Sequence, residues 1–337
     1  MEGFRTALKV LLAAGAMAAA FLLIWFATEV LLVVFAGILF GIFLRALADL
    51  LSGHTPLARR WSLVVVIAGL AGLAAAWVYF AWPGVAAEVD KLGAEAPGMW
   101  LAFTNYLSQY GWGKWLIQRE PYLEESIFNR ISITGLVTSV TDAILALFIA
   151  IFIGIYVSAQ SGLYIGGAVE LAPDERRLPV SRTLMEMGVM LRRWMVGRGV
   201  AMLSVGVLDW IGLAIIGVPL AGTLGIISGL LTFIPYLGSL IALVPSVLVA
   251  ATVSSKLAFG AAVVHFIGQG VEAHLVTPLV QRRAVELAPA VTISAQFLMG
   301  AWAGILGVLF ATPIAAIIQF LVRKFYLRDP RGGTAEN

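Results

Sequence analysis

The stretch that most limits what this chain can fold into lies between Asp209 and Lys256, where no charged residue occurs. Its centre, residues 222–251, reads GTLGIISGLLTFIPYLGSLIALVPSVLVAA. As one continuous helix it would be about 45 Å long, well beyond a hydrocarbon core of about 30 Å. Halfway along stands Pro235-Tyr236-Leu237-Gly238. Pro235 has no N–H, so it releases the carbonyl of Leu231, and its ring disfavours an unbroken helix. Gly238 permits the positive φ that a reversal needs. Each half is about 22 Å long, too short to cross alone. The expectation is a re-entrant hairpin or a helix with a wide unwound centre. Irregular backbone at membrane depth is tolerated only inside protein or beside a watery cavity. In transporters such breaks mark the substrate site.

The rest of the composition agrees with a membrane setting. Of 337 residues, 61% are hydrophobic and 12% charged, about half the charge of a soluble domain. The predicted class is an all-α membrane protein with about six spanning helices and two broken or re-entrant segments. With no cysteine, disulfides, thiolate metal sites and thiol nucleophiles are excluded. No nucleic-acid motif is present. The chain lacks GxxxxGK[ST] and HExxH, and GxSxG, so neither ATP drive nor an intramembrane enzyme is expected, and no cofactor or metal is called for.

Taken in order, residues 1–82 are expected to hold three spanning helices, 7–26, 30–44 and 62–82, the last ended by Trp82-Pro83-Gly84. The apolar start resembles a signal peptide, but a second apolar run follows at once, which favours a retained helix. Gly37 and Gly41 form a GxxxG pattern that lets helices approach closely. Residues 83–135 hold most of the acids and many aromatics, suiting an extracytoplasmic amphipathic segment with an aromatic belt. Residues 136–158 form a fourth span. Residues 159–198 carry Arg176, Arg177, Arg182, Arg192, Arg193 and Arg198, with Leu184, Met187, Leu191, Trp194 and Met195 at helical spacing. This predicts a basic amphipathic helix on the cytoplasmic membrane surface. The positive-inside rule puts the loop 45–61, the segment 159–198 and the tail 326–337 in the cytoplasm, with the N-terminus.

Residues 199–325 form the expected transport core. A span at 199–216 contains Asp209, the broken segment follows, and a span at 257–276 carries His265, Gln269 and Glu272 before Thr277-Pro278. At 100° per residue those three fall within about 60° of one another, on one face, with His274 opposite. A second charge-free run, 287–322, is also overlong, with Gly300, Gly304, Gly307 and Pro313 as places to break. A spanning helix with a buried acid, a proline stop and an overlong broken segment thus occur twice, the pattern of an inverted repeat. A charge at the bilayer centre costs at least about 2.5 kcal/mol, so Asp209 and Glu272 are expected to face a partner or a cavity. The candidate substrate or ion site comprises Asp209, Pro235, Tyr236, Gly238, His265, Gln269, Glu272, Thr277 and Pro278.

Phe233-Ile-Pro-Tyr-Leu-Gly238 followed by Pro245, Gln269-x-x-Glu272 leading into Thr277-Pro278-Leu279, Leu287-Ala-Pro289, and Gly304-Ile-Leu-Gly307 before Pro313 resemble the signature of the autoinducer-2 exporter family of bacterial multi-pass membrane transporters. The motif resemblance covers roughly residues 197–325; before that only the layout agrees. It implies a transporter of the bacterial cytoplasmic membrane, a homo-oligomer (a pentamer by that likeness) and movement of the broken-helix unit. The implied cargo is a small polar solute such as autoinducer-2, or a monovalent cation exchanged for protons. Apart from membrane lipid, no further partner is expected.

Overall fold

The computed structural model describes residues 27–109, 114, 133–278 and 287–326. The expected first helix at 7–26, most of 110–132, residues 279–286 and the tail beyond Tyr326 lie outside the described residues. Among the described residues every regular element is helical: α1 (Thr28–His54), α2 (Arg59–Leu107), α3 (Ile133–Ala159), α4 (Ser161–Glu170), α5 (Arg177–Ile216), α6 (Ala221–Leu231), α7 (Leu237–Ala251), α8 (Ser255–Val271) and α9 (Pro289–Phe325). A 3-10 turn over Asp174–Arg176 precedes α5, and a π-turn over Glu272–Val276 follows α8. Four helices are long and apolar enough to cross a membrane, or five if the pair α3–α4, bent by 87°, is one span.

Several expected boundaries move. Helix α1 continues through Arg45 to His54, so the connection to α2 shrinks to residues 55–58. Helix α2 does not stop at Trp82-Pro83-Gly84 but runs on to Leu107. Proline at that position forfeits one backbone bond, a loss that apolar spans accommodate with small local adjustments. The expected surface helix at 159–198 and the span at 199–216 are not separate: α5 is continuous from Arg177 to Ile216. Its apolar stripe is buried at Met190, Leu191, Trp194 and Met195, so that face meets protein rather than a lipid surface. Nothing in the sequence from Arg177 to Ile216 breaks the helix, since Pro179 falls in the first turn, where proline is tolerated.

The chain divides into two compact units. The first comprises Met1–Ala46, Leu147–Met195 and Val285–Asn337, the second Leu47–Ala146 and Val196–Ala284. Helices α1, α3 and α5 contribute residues to both.

In the first unit α1 crosses α3 at glycines. A Cβ on Gly37 would stand 2.6 Å from Ile153, and one on Gly154 would stand 3.0 Å from the Gly37 carbonyl oxygen. The GxxxG pattern therefore marks a close helix crossing, stabilised by dispersion contacts that larger residues would forbid. Phe35 meets Phe310 edge-to-face, with ring centroids 5.8 Å apart. Near its C-terminal end α9 is tied back by Lys324 Nζ, 2.6 Å from Glu186 Oε2. Helix α9 is not a straight rod. Ala303 and Gly304 leave helical geometry, with Gly304 at φ 57 and ψ −141. A Cβ on Gly300 would stand 2.7 Å from Val308, and one on Gly307 would collide with the Met299 carbonyl. Residues seven or eight apart in a straight helix are over 10 Å apart, so the chain folds back here.

The second unit contains the segment 222–251, and it is a hairpin. Helices α6 and α7 pack against each other. The start of α6 (Ala221, Leu224) and the end of α7 (Val249, Ala250) share one apolar cluster with Leu213 of α5, Val218 and Ala261 of α8. A continuous helix would hold those ends about 45 Å apart. Helix α6 runs back along α5 with backbones nearly touching: a Cβ on Gly229 would stand 2.7 Å from the Met202 carbonyl oxygen, and one on Gly225 2.7 Å from that of Gly206. Helix α8 packs along α7 and meets α5 where Gly212 faces Val264.

Candidate functional site

The tip of this hairpin is where the sequence-predicted site residues converge. Helix α6 ends at Leu231, leaving carbonyls without intrahelical partners. The chain then turns at Pro235-Tyr236-Leu237. Tyr236 has φ 64 and ψ −57, and Leu237 N–H donates to the Pro235 carbonyl at 2.7 Å. This is a γ-turn of the rare, strained hand. The positive φ thus falls on Tyr236 and not, as the sequence suggested, on Gly238. Gly238 is required for a different reason: its α-carbon lies against the Leu231 carbonyl, and a Cβ there would collide with it. Tyr236 itself is half exposed. Ser239 Oγ donates back to the Tyr236 carbonyl at 2.8 Å.

Two polar clamps hold the tip. The first is Arg198 on α5, 5% exposed. Its Nε donates to the Phe233 carbonyl at 3.2 Å and its second terminal nitrogen to that of Thr232. A guanidinium at the C-terminal end of α6 satisfies freed carbonyls and opposes the negative end of the helix dipole. The remaining terminal nitrogen lies 3.5 Å from Glu272 Oε1, which also accepts from Thr277 Oγ1 at 2.9 Å. Glu272 therefore begins the π-turn as the counter-ion of Arg198, and Thr277 is its hydrogen-bond donor. Pro278 is exposed beside them.

The second clamp is Asp209 and His265. Asp209 is fully buried, and its Oδ2 lies 2.9 Å from His265 Nδ1, an ion-pair distance without the alignment of a good hydrogen bond. His265 Nε2 lies 2.7 Å from the Ser239 carbonyl oxygen. A carbonyl only accepts, so Nε2 carries the hydrogen. Asp209 Oδ1 faces Gly268, where a Cβ would stand 2.7 Å away, and receives no hydrogen bond among the described residues. Gln269, expected on the same face, has its Nε2 buried without a partner among the described residues. His274, on the opposite side, is exposed, and its Nδ1 lies 2.9 Å from the Gly270 carbonyl oxygen.

Sequence reasoning missed Arg198 and Ser239. Arg198 was grouped with the surface arginines before it. The signal was its spacing: it precedes Asp209 by eleven residues, three helical turns, and so shares its face. Ser239 contributes through its backbone, which a side-chain search does not see.

Residues 15–326 match the description of an AI-2E family transporter. The chain is 26% identical to YueF of Bacillus subtilis over 317 residues, covering 87% of this chain and 84% of that one. It is 31% identical to YrrI of the same organism, over 46% of this chain and 44% of that protein, so the match spans less than half of YrrI. Both relatives are, by name, candidate transport proteins. With the apolar spans, the broken helices and the polar tip already in place, the match over most of its length means that the chain belongs to the AI-2E family of membrane transporters.

Proposed function

We propose that the protein is a secondary active exporter of a small polar solute similar to autoinducer-2, working in the bacterial cytoplasmic membrane as a homo-oligomer with both termini in the cytoplasm. The observation that carries this reading is the hairpin tip. There the polar backbone of residues 231–239 lies beside buried Arg198, Asp209 and His265 and the partly buried Glu272. Carbonyls, a tyrosine hydroxyl, Gln269 and carboxylates suit a polyhydroxylated solute, and a membrane carrier needs such groups where its two halves can alternate around them. Asp209, His265, Gln269 and Glu272, with the backbone at Pro235, Tyr236 and Gly238, are the proposed contacts; Thr277 and Pro278 flank them.

The test is uptake into liposomes. Purified protein is expected to accumulate autoinducer-2 against its gradient when a proton gradient is imposed, and the double variant Asp209→Asn, Glu272→Gln is expected to lose that accumulation. Accumulation unchanged in the double variant would overturn the assignment of the site.

A second reading, exchange of sodium or lithium for protons, is favoured by one observation: the buried Oδ1 of Asp209 receives no hydrogen bond among the described residues, an arrangement that suits a cation. A pH-sensitive dye inside the same liposomes separates the two. A cation-dependent proton signal without solute present is the outcome expected of antiport.

A further inference from the structure

We propose that Asp209 and His265 together bind one transferable proton, and that the loss of this proton unlatches the hairpin tip at Ser239. For its consequence in transport this rests on the exporter reading; the latch itself does not.

The argument is one of hydrogen counting. In the observed geometry His265 Nε2 faces a carbonyl oxygen at 2.7 Å and Nδ1 faces a carboxylate oxygen at 2.9 Å. The carbonyl can only accept, so one hydrogen sits on Nε2. The second contact is not an aligned hydrogen bond, but an ionised carboxylate 2.9 Å from a bare Nδ1 in so buried a site would set negative charge against a lone pair, so the pair needs one more proton, on Nδ1 or on Oδ2. Whether written as imidazolium with carboxylate or as imidazole with carboxylic acid, the pair carries one proton more than the neutral ring with an ionised carboxylate. Its net charge is then zero, which suits a site with no exposure.

When that proton leaves to water, the ring keeps one hydrogen for two acceptors, so one contact must fail. A buried carboxylate with no hydrogen-bond donor among the described residues attracts the hydrogen more strongly than a neutral carbonyl does. The hydrogen therefore stays on Nδ1, and Nε2 presents a lone pair to the Ser239 carbonyl. That repulsion lies at the first turn of α7, next to the strained turn at Tyr236. Arg198 and Glu272 keep hold of the other end of the break, at Thr232 and Phe233, so the motion is a swing of the α7 side of the tip.

Few other groups compete. The remaining titratable residues of the second unit from Arg198 to Thr277 are Arg198 and Glu272, paired with each other, Tyr236, Lys256 at the exposed start of α8, and the exposed His274. Neither α6 nor α7 carries a charge, and α2, which also packs on α7, carries none from Trp61 to Ala87, where its titratable group is the exposed Tyr79.

The cysteine-free chain makes the test direct. Spin labels at Leu240→Cys on α7 and Phe266→Cys on α8, both exposed positions, report the tip-to-helix distance by pulsed electron resonance in nanodiscs, with no transport substrate present. Between pH 5 and pH 9 the ratio of long to short distances should rise by about fivefold, the size expected from the loss of one hydrogen bond. Asp209→Asn, whose amide can donate to Nδ1 while Nε2 keeps Ser239, should hold the short distance at both pH values. His265→Phe should show the long distance at both. If either variant fails to fold, nitrogen-15 spectra of the wild type decide, because only three histidines are present. Whichever partner holds the extra proton at pH 5, the His265 signal at pH 9 should be that of the neutral ring protonated at Nδ1. Distances that do not change with pH, or a His265 still protonated at Nε2 at pH 9, would overturn the latch. A transport failure with the distance change intact would instead count against the exporter reading.

Discussion

At Tyr236 the chain turns through φ 64 and at Gly304 through φ 57. Nine residues beyond each stands a proline inside the following helix, Pro245 and Pro313. In each case a glycine closes the fold against a carbonyl of the preceding half, Gly238 on Leu231 and Gly307 on Met299. The backbone device is the same in the two units; the surroundings are not. Around the first break lie Arg198, Glu272, Asp209 and His265. The helix halves of the second bury neutral groups, Thr292, Gln296 and Thr312. The difference teaches that folding back requires only small residues and one residue held at positive φ, even a strained tyrosine, whereas among the described residues the charges surround one break alone. Shape is shared, and chemistry is concentrated in the second unit.

Substitutions can break that comparison or sharpen it. The largest effect is expected from Arg198→Ala, which leaves the partly buried Glu272 without its counter-ion and uncaps two carbonyls. Removing one partner of a fully buried pair costs about 3–5 kcal/mol, and the lower end is expected here because Glu272 keeps some exposure. Thermal unfolding in nanodiscs should show that loss, and Gln296→Ala in the first unit should cost less, about 1–3 kcal/mol. Equal losses would erase the distinction between a charged and a neutral break. Next come Gly238→Ala and Gly307→Ala. Each drives a methyl into a backbone carbonyl, and each should destabilise by about 1–3 kcal/mol. A large loss at one and none at the other would show that the two reversals are not equivalent. The smallest pair is opposite in sign. Gly304→Ala should destabilise by about 1–3 kcal/mol, since φ 57 with ψ −141 is backbone that only glycine adopts freely. Tyr236→Gly should stabilise by up to about 1 kcal/mol by releasing the strained turn, while weakening solute accumulation in liposomes if the tyrosine hydroxyl is a contact.

That last pair also shows what could be read from the sequence. The absence of charge from Asp209 to Lys256, with proline and glycine at its middle, was enough to announce a break and to place it within a few residues. Which residue takes the positive φ was not legible, because tyrosine is an improbable choice and the adjacent glycine the obvious one. The glycine turned out to serve close approach, a tertiary requirement invisible to local propensity. The face shared by His265, Gln269 and Glu272 was legible from spacing, yet their partners were not. Arg198 looked like one more positive residue in an arginine-rich stretch, and the Ser239 carbonyl has no sequence signature at all. The continuation of α2 through Pro83 and of α5 through residue 199 was misread for one reason. Proline and a change of polarity are reliable helix ends in water, where the freed backbone finds solvent, but weak ones in an apolar setting, where a helix keeps its own bonds.

The hairpin also constrains how the protein is made. Helices of eleven and fifteen residues are too short to be threaded through a bilayer individually. The surfaces that receive them belong to α5, already synthesised, and to α8, which follows. Until Ser255–Val271 and the π-turn after it have emerged and folded, the Ser239 carbonyl has no histidine, Arg198 no glutamate, and the apolar base no Ala261 to close on. During biogenesis this segment must therefore wait, half-sheltered along α5, for the next span to arrive. A pause in elongation that holds the chain with residue 251 just emerged should expose it to quality-control proteases, while a pause that lets residue 278 emerge first should leave it protected.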